Sequence, residues 1–203
     1  TVVRLSTDLT LTGPWETARL GGSISIIDSL LFKDFELLPI GGPINHTAEP
    51  SLPSVDSDTP AEKLAAIPEP FKNWGLDLSL KSITPFLIRG NLAGGEVYLD
   101  AKVGGTVGKP RPTGGVKLRE IEAQLPFSTL TIPMGSVDFN PDRPFNPTLD
   151  IKGESTVRPY DIEIHIYGGL AKPTIQTSSN PPLPENEVMT LIATGTTTAG
   201  LAD

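Results

Sequence analysis

Cysteine is absent from this 203-residue chain, which excludes disulfides, thiol catalysis and thiolate metal sites. The compartment stays open, because a cysteine-avoiding envelope protein and a cytosolic one look alike in this respect. Aromatic residues make up only 6%, and the chain holds 2 histidines, His46 and His165. His165 falls on the polar side of an alternating segment and His46 stands beside Asn45 and Thr47. With no second histidine or cysteine nearby, each reads as a solvated residue rather than a base or metal ligand. The Asn45-His46-Thr47 triplet matches a glycosylation acceptor, which counts only in a eukaryotic secretory protein. Positive charge is scarce too: 16 Lys and Arg against 24 Asp and Glu leave a formal charge of −8. Counterion release from nucleic acid is therefore disfavoured, and an anionic membrane surface would repel the chain as a whole. Long hydrophobic runs are missing as well. Asp28 interrupts the best N-terminal stretch, and Val188 to Ala193 falls far short of the roughly 18 residues a spanning helix needs. No basic segment followed by an apolar core opens the chain, which begins inside what reads as a strand, as a piece of a longer protein would.

Glycine and proline are abundant, 20 and 21 residues, too many for long helices and, lacking a short period, wrong for collagen. Many turns between short strands account for them. Val97, Leu99, Ala101 and Val103 alternate with Glu96, Tyr98, Asp100 and Lys102; Ile162, Ile164 and Ile166 alternate with Asp161, Glu163, His165 and Tyr167. The same period of two runs through Leu76, Leu78 and Leu80, Val116 and Leu118, Leu149 and Ile151, and Ile24 and Ile26, so each strand has one apolar and one wet face. Gly94-Gly95, Asn140-Pro141 and Lys172-Pro173 read as the turns between them. Two short helices are expected. Thr59, Pro60 and Glu62 make a capping box before Leu64 and Ile67, closed by Pro68. The second runs from Pro184 to Thr194, acidic at Glu185 and Glu187, apolar at Val188, Leu191 and Ile192, and ended by Gly195.

The chain also repeats itself at an offset of 92 residues (from 8 to 100). Asp8, Leu11, Gly13, Gly22, Ile24, Ile26, Phe35, Leu38 and Ile40 recur as Asp100, Val103, Gly105, Gly114, Val116, Leu118, Phe127, Leu130 and Ile132. The shared positions are apolar alternations bounded by glycine, and no catalytic group is duplicated with them, so a surface is what recurs. This divides the chain into a first β repeat over 1–42, a Pro/Ser/acidic excursion over 43–72, and a second repeat with further strands and a helix over 73–203. Strands following one another without helices between them make an antiparallel meander. Its apolar face is either filled, in a sandwich or barrel, or left as an open trough, and periodicity alone favours the filled core.

Catalytic motifs fail on inspection. Gly104 to Lys109 lacks the first glycine and the hydroxyl residue of a phosphate loop, with Val103 and Pro110 in those places. Asp56 and Asp58 lack the glycine and distal glutamate of a calcium loop, and no Gly-x-Ser-x-Gly elbow exists. Asp100, Asp150 and Glu163 lie on wet faces. Lys109, Arg111, Lys117 and Arg119 form a basic cluster that reads as charge on an exposed face rather than a phosphate site. No cofactor, metal site or enzymatic activity is expected.

From Trp74 onward the chain resembles the C-terminal domain of the TamB translocation and assembly module family. The resemblance is carried by Leu76 to Leu80, Phe86 to Gly90, Val97 to Gly105 leading to Pro110 and a Gly114-Gly115 turn, Leu130 to Asn140, Ile162 to Gly169, and Lys172 to Leu183 followed by Glu185 to Gly195. Family members usually continue with more strands after that helix. The resemblance implies an all-β fold, a curled antiparallel sheet forming a β-taco or β-roll trough with one or two short helices. Its aliphatic groove would be lined by Val97, Leu99, Ala101, Val103, Val116, Leu118, Leu149, Ile151, Ile162, Ile164 and Ile166, with Leu78, Leu80, Ile24 and Ile26. The implied setting is periplasmic, in a longer protein anchored in the inner membrane. The implied partners are phospholipid acyl chains and a TamA-like outer-membrane barrel protein. Two functions follow: phospholipid transport between the membranes, or an assembly chaperone or scaffold for nascent outer-membrane barrel or autotransporter proteins acting by β-augmentation.

Overall fold

The computed structural model describes residues 2–32, 64, 66–90, 92–125 and 127–197. They form one 10-stranded sheet and a single α-helix: β1 (Val2–Thr12), β2 (Arg19–Phe32), β3 (Gly75–Ser82), β4 (Phe86–Arg89), β5 (Ala93–Thr106), β6 (Lys109–Gln124), β7 (Thr129–Asn140), β8 (Arg143–Val157), β9 (Tyr160–Gly169), β10 (Thr174–Asn180) and α1 (Glu185–Thr194). The order across the sheet is β1-β2-β3-β5-β6-β7-β8-β9-β10, with β4 following β3 in the same lane between β2 and β5. Among the described residues β1 and β10 are the sheet's edges and do not pair with each other, so the sheet does not close into a barrel. Every expected alternation falls inside one of these strands.

The meander is antiparallel except at one seam. β2 pairs with β3 and β4 in parallel, Leu20 opposite Leu76 and Ile24 opposite Leu80. The strands joined there are separated by the long excursion, which supplies the crossover that a parallel pair requires. Of the first expected helix, Thr59, Pro60 and Glu62 lie outside the described residues, as do Phe35, Leu38, Ile40, Asn45, His46, Thr47, Asp56 and Asp58. Two expected turns are corrected. Gly94-Gly95 lies inside β5 and Gly114-Gly115 inside β6. Gly95, Gly105 and Gly114 are there because φ is positive (146°, 84° and 83°), a conformation that side chains resist and that strand irregularities need.

The pairing of β1 with β2 and of β5 with β6 is alike at positions 92 residues apart. Asp8 faces Ser23 and Leu9 faces Gly22 in β1/β2; Asp100 faces Gly115 and Ala101 faces Gly114 in β5/β6, the same register 92 residues on. A Cβ on Gly22 (φ 131°) would collide with the Asp8 carbonyl as one on Gly114 would with the Asp100 carbonyl. Gly13 (φ 96°) and Gly105 (φ 84°) match likewise.

Irregularities line up across the strands. The register shifts at Arg4/Leu5, Gly94/Glu96 and Thr131/Met134. Glu120 has φ 47°, and β3 breaks off at Ser82 before β4 resumes at Phe86. Followed through the pairs Leu5–Ile26, Ile26–Ser82, Phe86–Val97, Glu96–Arg119, Ile121–Ile132 and Met134–Lys152, these sites form a row. Bulges bend strands, so a row of them creases the sheet across its strands. The strand ends are then the two lips of the curled sheet.

Helix α1 starts after Pro184 and ends at Gly195 (φ 75°), whose N–H donates to the Leu191 carbonyl at 2.8 Å. Ten residues are too few to be helical alone. Burial of Val188 (0% exposed) and Leu191 (2%) against Val157 (6%) and Ile162 (1%) holds it, with Tyr160, Ile164, Leu183 and Ile192 packed around them.

Candidate functional site

Residues directly opposite in neighbouring strands share a face, so the register alone sorts the side chains. Leu99 faces Val116, Val116 faces Val137, Val137 faces Leu149; Val97 faces Leu118; Ile151 faces Ile166. Leu78 faces Val103, Leu80 faces Ala101, and Ile24 faces Leu80 across the parallel seam. Alternation then puts Ile162 and Ile164 with Ile166. All fifteen expected lining residues lie on one face of one sheet. Leu5, Leu9, Leu11, Leu20, Leu76, Val137 and Phe139 join them. The alternation Leu5-Leu9-Leu11 was readable in β1, where threonine at 7 interrupts it.

The face is tight where glycines sit: a Cβ on Gly135 would meet Ile151 Cγ1 at 3.2 Å, and on Gly153 would meet Leu130 Cδ1 at 3.0 Å. Only Ala101 (4%), Leu149 (8%) and Ile162 (1%) of the fifteen are fully buried; the other twelve are half-buried. Among the described residues no second sheet packs on the face, and α1 covers only its β8–β10 end. At the other end Leu5, Leu9 and Leu11 are 52%, 46% and 52% exposed. The filled sandwich that periodicity favoured is replaced by a single bent layer.

The wet face carries the polar residues and no machinery. His165 Nε2 and Asp150 Oδ1 are 2.8 Å apart, with the ring 4.7 Å from Tyr167, so this histidine is tethered rather than merely solvated. No serine or threonine hydroxyl bonds to it among the described residues. Arg111 pairs with Asp142 at 3.0 Å and Arg119 lies 5.8 Å over the Tyr98 ring, so the basic cluster is a charged surface. No group of three metal-binding side chains exists among the described residues. The recesses of about 860 and 810 Å³ are polar, opening among Thr131, Glu154, Asp161, Glu163, His165, Gln176 and Ser178. They offer carboxylates and hydroxyls without a paired base and nucleophile.

The chain is thus an all-β protein built on a single curled sheet that exposes a long aliphatic face. Consistent with this, the TamB C-terminal domain family model matches residues 2–203, and the chain belongs to that family. The family's role lies in outer-membrane protein assembly and the cell envelope, as a translocation and assembly component. No individual curated protein matches the chain. No helix among the described residues is long and apolar enough to cross a membrane.

Proposed function

We propose that the apolar face is a sliding surface for phospholipid acyl chains, and that the protein passes lipid between the inner and outer membranes without making or breaking a bond. The observation carrying this reading is the aliphatic face shared by ten strands with no covering layer over β3–β7 among the described residues. An acyl chain laid on it leaves water at about 0.8 kcal/mol per buried CH₂, with no specific contact to release before it slides. The protein then works in the periplasm, anchored at the inner membrane through another part of a longer chain, with a TamA-like barrel as its outer-membrane partner. The segments 1–42 and 73–203 act as two copies of one lining unit. A photo-crosslinking residue at Leu99 or Val116 should yield phospholipid adducts, and one at Lys102 or Lys117 on the wet face should not. Adducts from neither position, or equally from both, would defeat the groove.

One observation favours the scaffold reading. β1 is an open edge of 11 residues whose apolar side chains are exposed, and such an edge accepts a further strand. Crosslinks from β1 to a nascent outer-membrane protein or to the barrel partner, with none to lipid from Leu99, would establish it instead.

A further inference from the structure

The two lips of the trough differ in chemistry. One is formed by the β1–β2, β5–β6, β7–β8 and β9–β10 turns and the 3-10 turn Phe71–Asn73. Large apolar side chains stand exposed along it: Trp15 at 61%, Phe145 at 44% and Leu170 at 53%. Trp15 is held from behind, its ring 5.4 Å from Phe71 and 5.2 Å from Trp74, while Trp74 Nε1 donates to the Trp15 carbonyl at 2.9 Å. A recess of about 490 Å³ beside Phe145 is walled by Leu64, Pro110, Pro141 and Pro144. This lip carries Arg19, Lys72, Lys109, Arg111, Arg143 and Lys172 against Glu16, Glu69, Asp77, Asp138 and Asp142, a slight excess of cations. The opposite lip is acidic, with Asp28, Glu120, Glu122, Asp161, Glu185 and Glu187 against Arg4, Arg89 and Arg158, and it exposes Phe127 and Met189 but no tryptophan.

We infer that the tryptophan-bearing lip docks on the surface of an anionic phospholipid bilayer. Exposed Trp, Phe and Leu set among Lys and Arg is the composition of an interfacial anchor, rings at headgroup depth and cations on the phosphates. The net charge of −8 opposes such docking only if evenly spread. Here it is polarised across the trough, so the acidic lip is repelled while the basic one is drawn in, and the protein lands in one orientation. The inference deepens the groove reading and rests on it for its purpose: a trough lying on its lip opens sideways into the bilayer it loads from.

The test is flotation of the 203-residue chain with vesicles of phosphatidylcholine alone and with phosphatidylglycerol added. The native chain should bind the anionic vesicles and not the neutral ones, weakening with salt. Lys109→Glu with Lys172→Glu should bind at least about tenfold more weakly, since each basic residue near such a surface contributes a comparable increment. Lys117→Glu with Lys152→Glu, the same charge change on the wet face away from the lip, should bind as the native chain does. Brominated lipid should quench tryptophan fluorescence in the native complex, and Leu170→Ser should weaken binding. The inference is overturned if the native chain ignores anionic vesicles, if both double variants lose binding equally, or if the lip variant keeps it, which would assign this surface to a protein partner. Leu99→Asp separates the two readings: vesicle binding reports the lip whatever the trough holds, and co-purifying lipid reports the trough whatever the lip does.

Discussion

A carboxylate placed in the groove distinguishes an open trough from a packed core. Leu99 is half-buried on the apolar face between Ala101 and Val97, opposite Val116, with no element packed over it among the described residues. Losing half the burial of a leucine costs about 1 kcal/mol, and the poor strand propensity of aspartate adds up to about 1 more. In an empty trough water reaches the new charge, so Leu99→Asp should cost about 2 kcal/mol and lower Tm by roughly 4–8 °C. Ile162 is the internal control. It is 1% exposed beneath α1, so Ile162→Asp strands a charge in a packed cluster and costs more than about 4 kcal/mol, a large part of a typical domain's stability. Ile164 touches the same cluster and belongs with Ile162 rather than with Leu99. The assay pairs thermal melts with extraction of lipid from the purified protein. Leu99→Asp should stay folded and lose its lipid, because a carboxylate among acyl chains costs several kcal/mol. If Leu99→Asp melts as far down as Ile162→Asp, the face is a core and the trough argument fails. If it stays folded and keeps its full complement of lipid, the groove argument fails.

Gly22→Ala and Gly114→Ala should destabilise alike, by about 1–3 kcal/mol, because both force a side chain to positive φ and onto the partner strand's backbone; Gly104→Ala, whose Cβ would meet only the Leu76 carbonyl at an ordinary 3.9 Å, should be near neutral in the same urea titration. Val188→Ala should cost about 1.5–3 kcal/mol, read as faster hydrogen exchange confined to α1, Val157 and the β9–β10 amides. The Tyr98 hydroxyl donates to Glu96 Oε2 at 2.9 Å, and that bond, with some burial and the carboxylate charge, raises its pKa above the ordinary value near 10. The folded state then holds this proton more tightly. Its contribution to stability is present below the ordinary tyrosine range and is lost as pH rises through the folded value. Phenolate absorbance should show the titration moving down in Glu96→Gln.

Where burial of one face dictated the residues, the sequence was readable. The strands through Leu76–Leu80, Val97–Val103 and Ile162–Ile166 appear as alternation because one side chain in two must leave water, and α1 appears because Pro184 and Gly195 bracket an apolar stripe. Gly94-Gly95 and Gly114-Gly115 misled, since glycine serves a bulge and a turn for the same reason, its freedom at positive φ. The parallel seam left no trace, because Leu20 to Ile26 alternates identically whether Leu76 to Ser82 runs with it or against it. The crease is a property of neighbouring strands in register, and Glu120 gives no local sign of a bend that depends on Gly95 opposite. The Asp150–His165 contact likewise joins strands whose pairing had to be known first.

Comparison of β1 and β2 with β5 and β6 bears on what the apolar face touches. Row by row, Leu5, Thr7, Leu9 and Leu11 in β1 become Val97, Leu99, Ala101 and Val103 in β5, while Ile24 and Ile26 become Val116 and Leu118. The backbone devices are retained through this change: Gly13 and Gly22 stay glycine at 105 and 114, with the same register and the same sign of φ. Side-chain volumes are redistributed rather than kept position by position: Leu9 becomes Ala101 while its same-face neighbour Thr7 becomes Leu99. A face that meets mobile chains requires only that it be apolar, continuous and free of fixed holes for a ligand to lodge in. Aliphatic residues traded freely over a rigidly repeated backbone meet that requirement, and the parallel seam carries the face from one copy into the next by setting Leu20, Gly22 and Ile24 beside Leu76, Leu78 and Leu80.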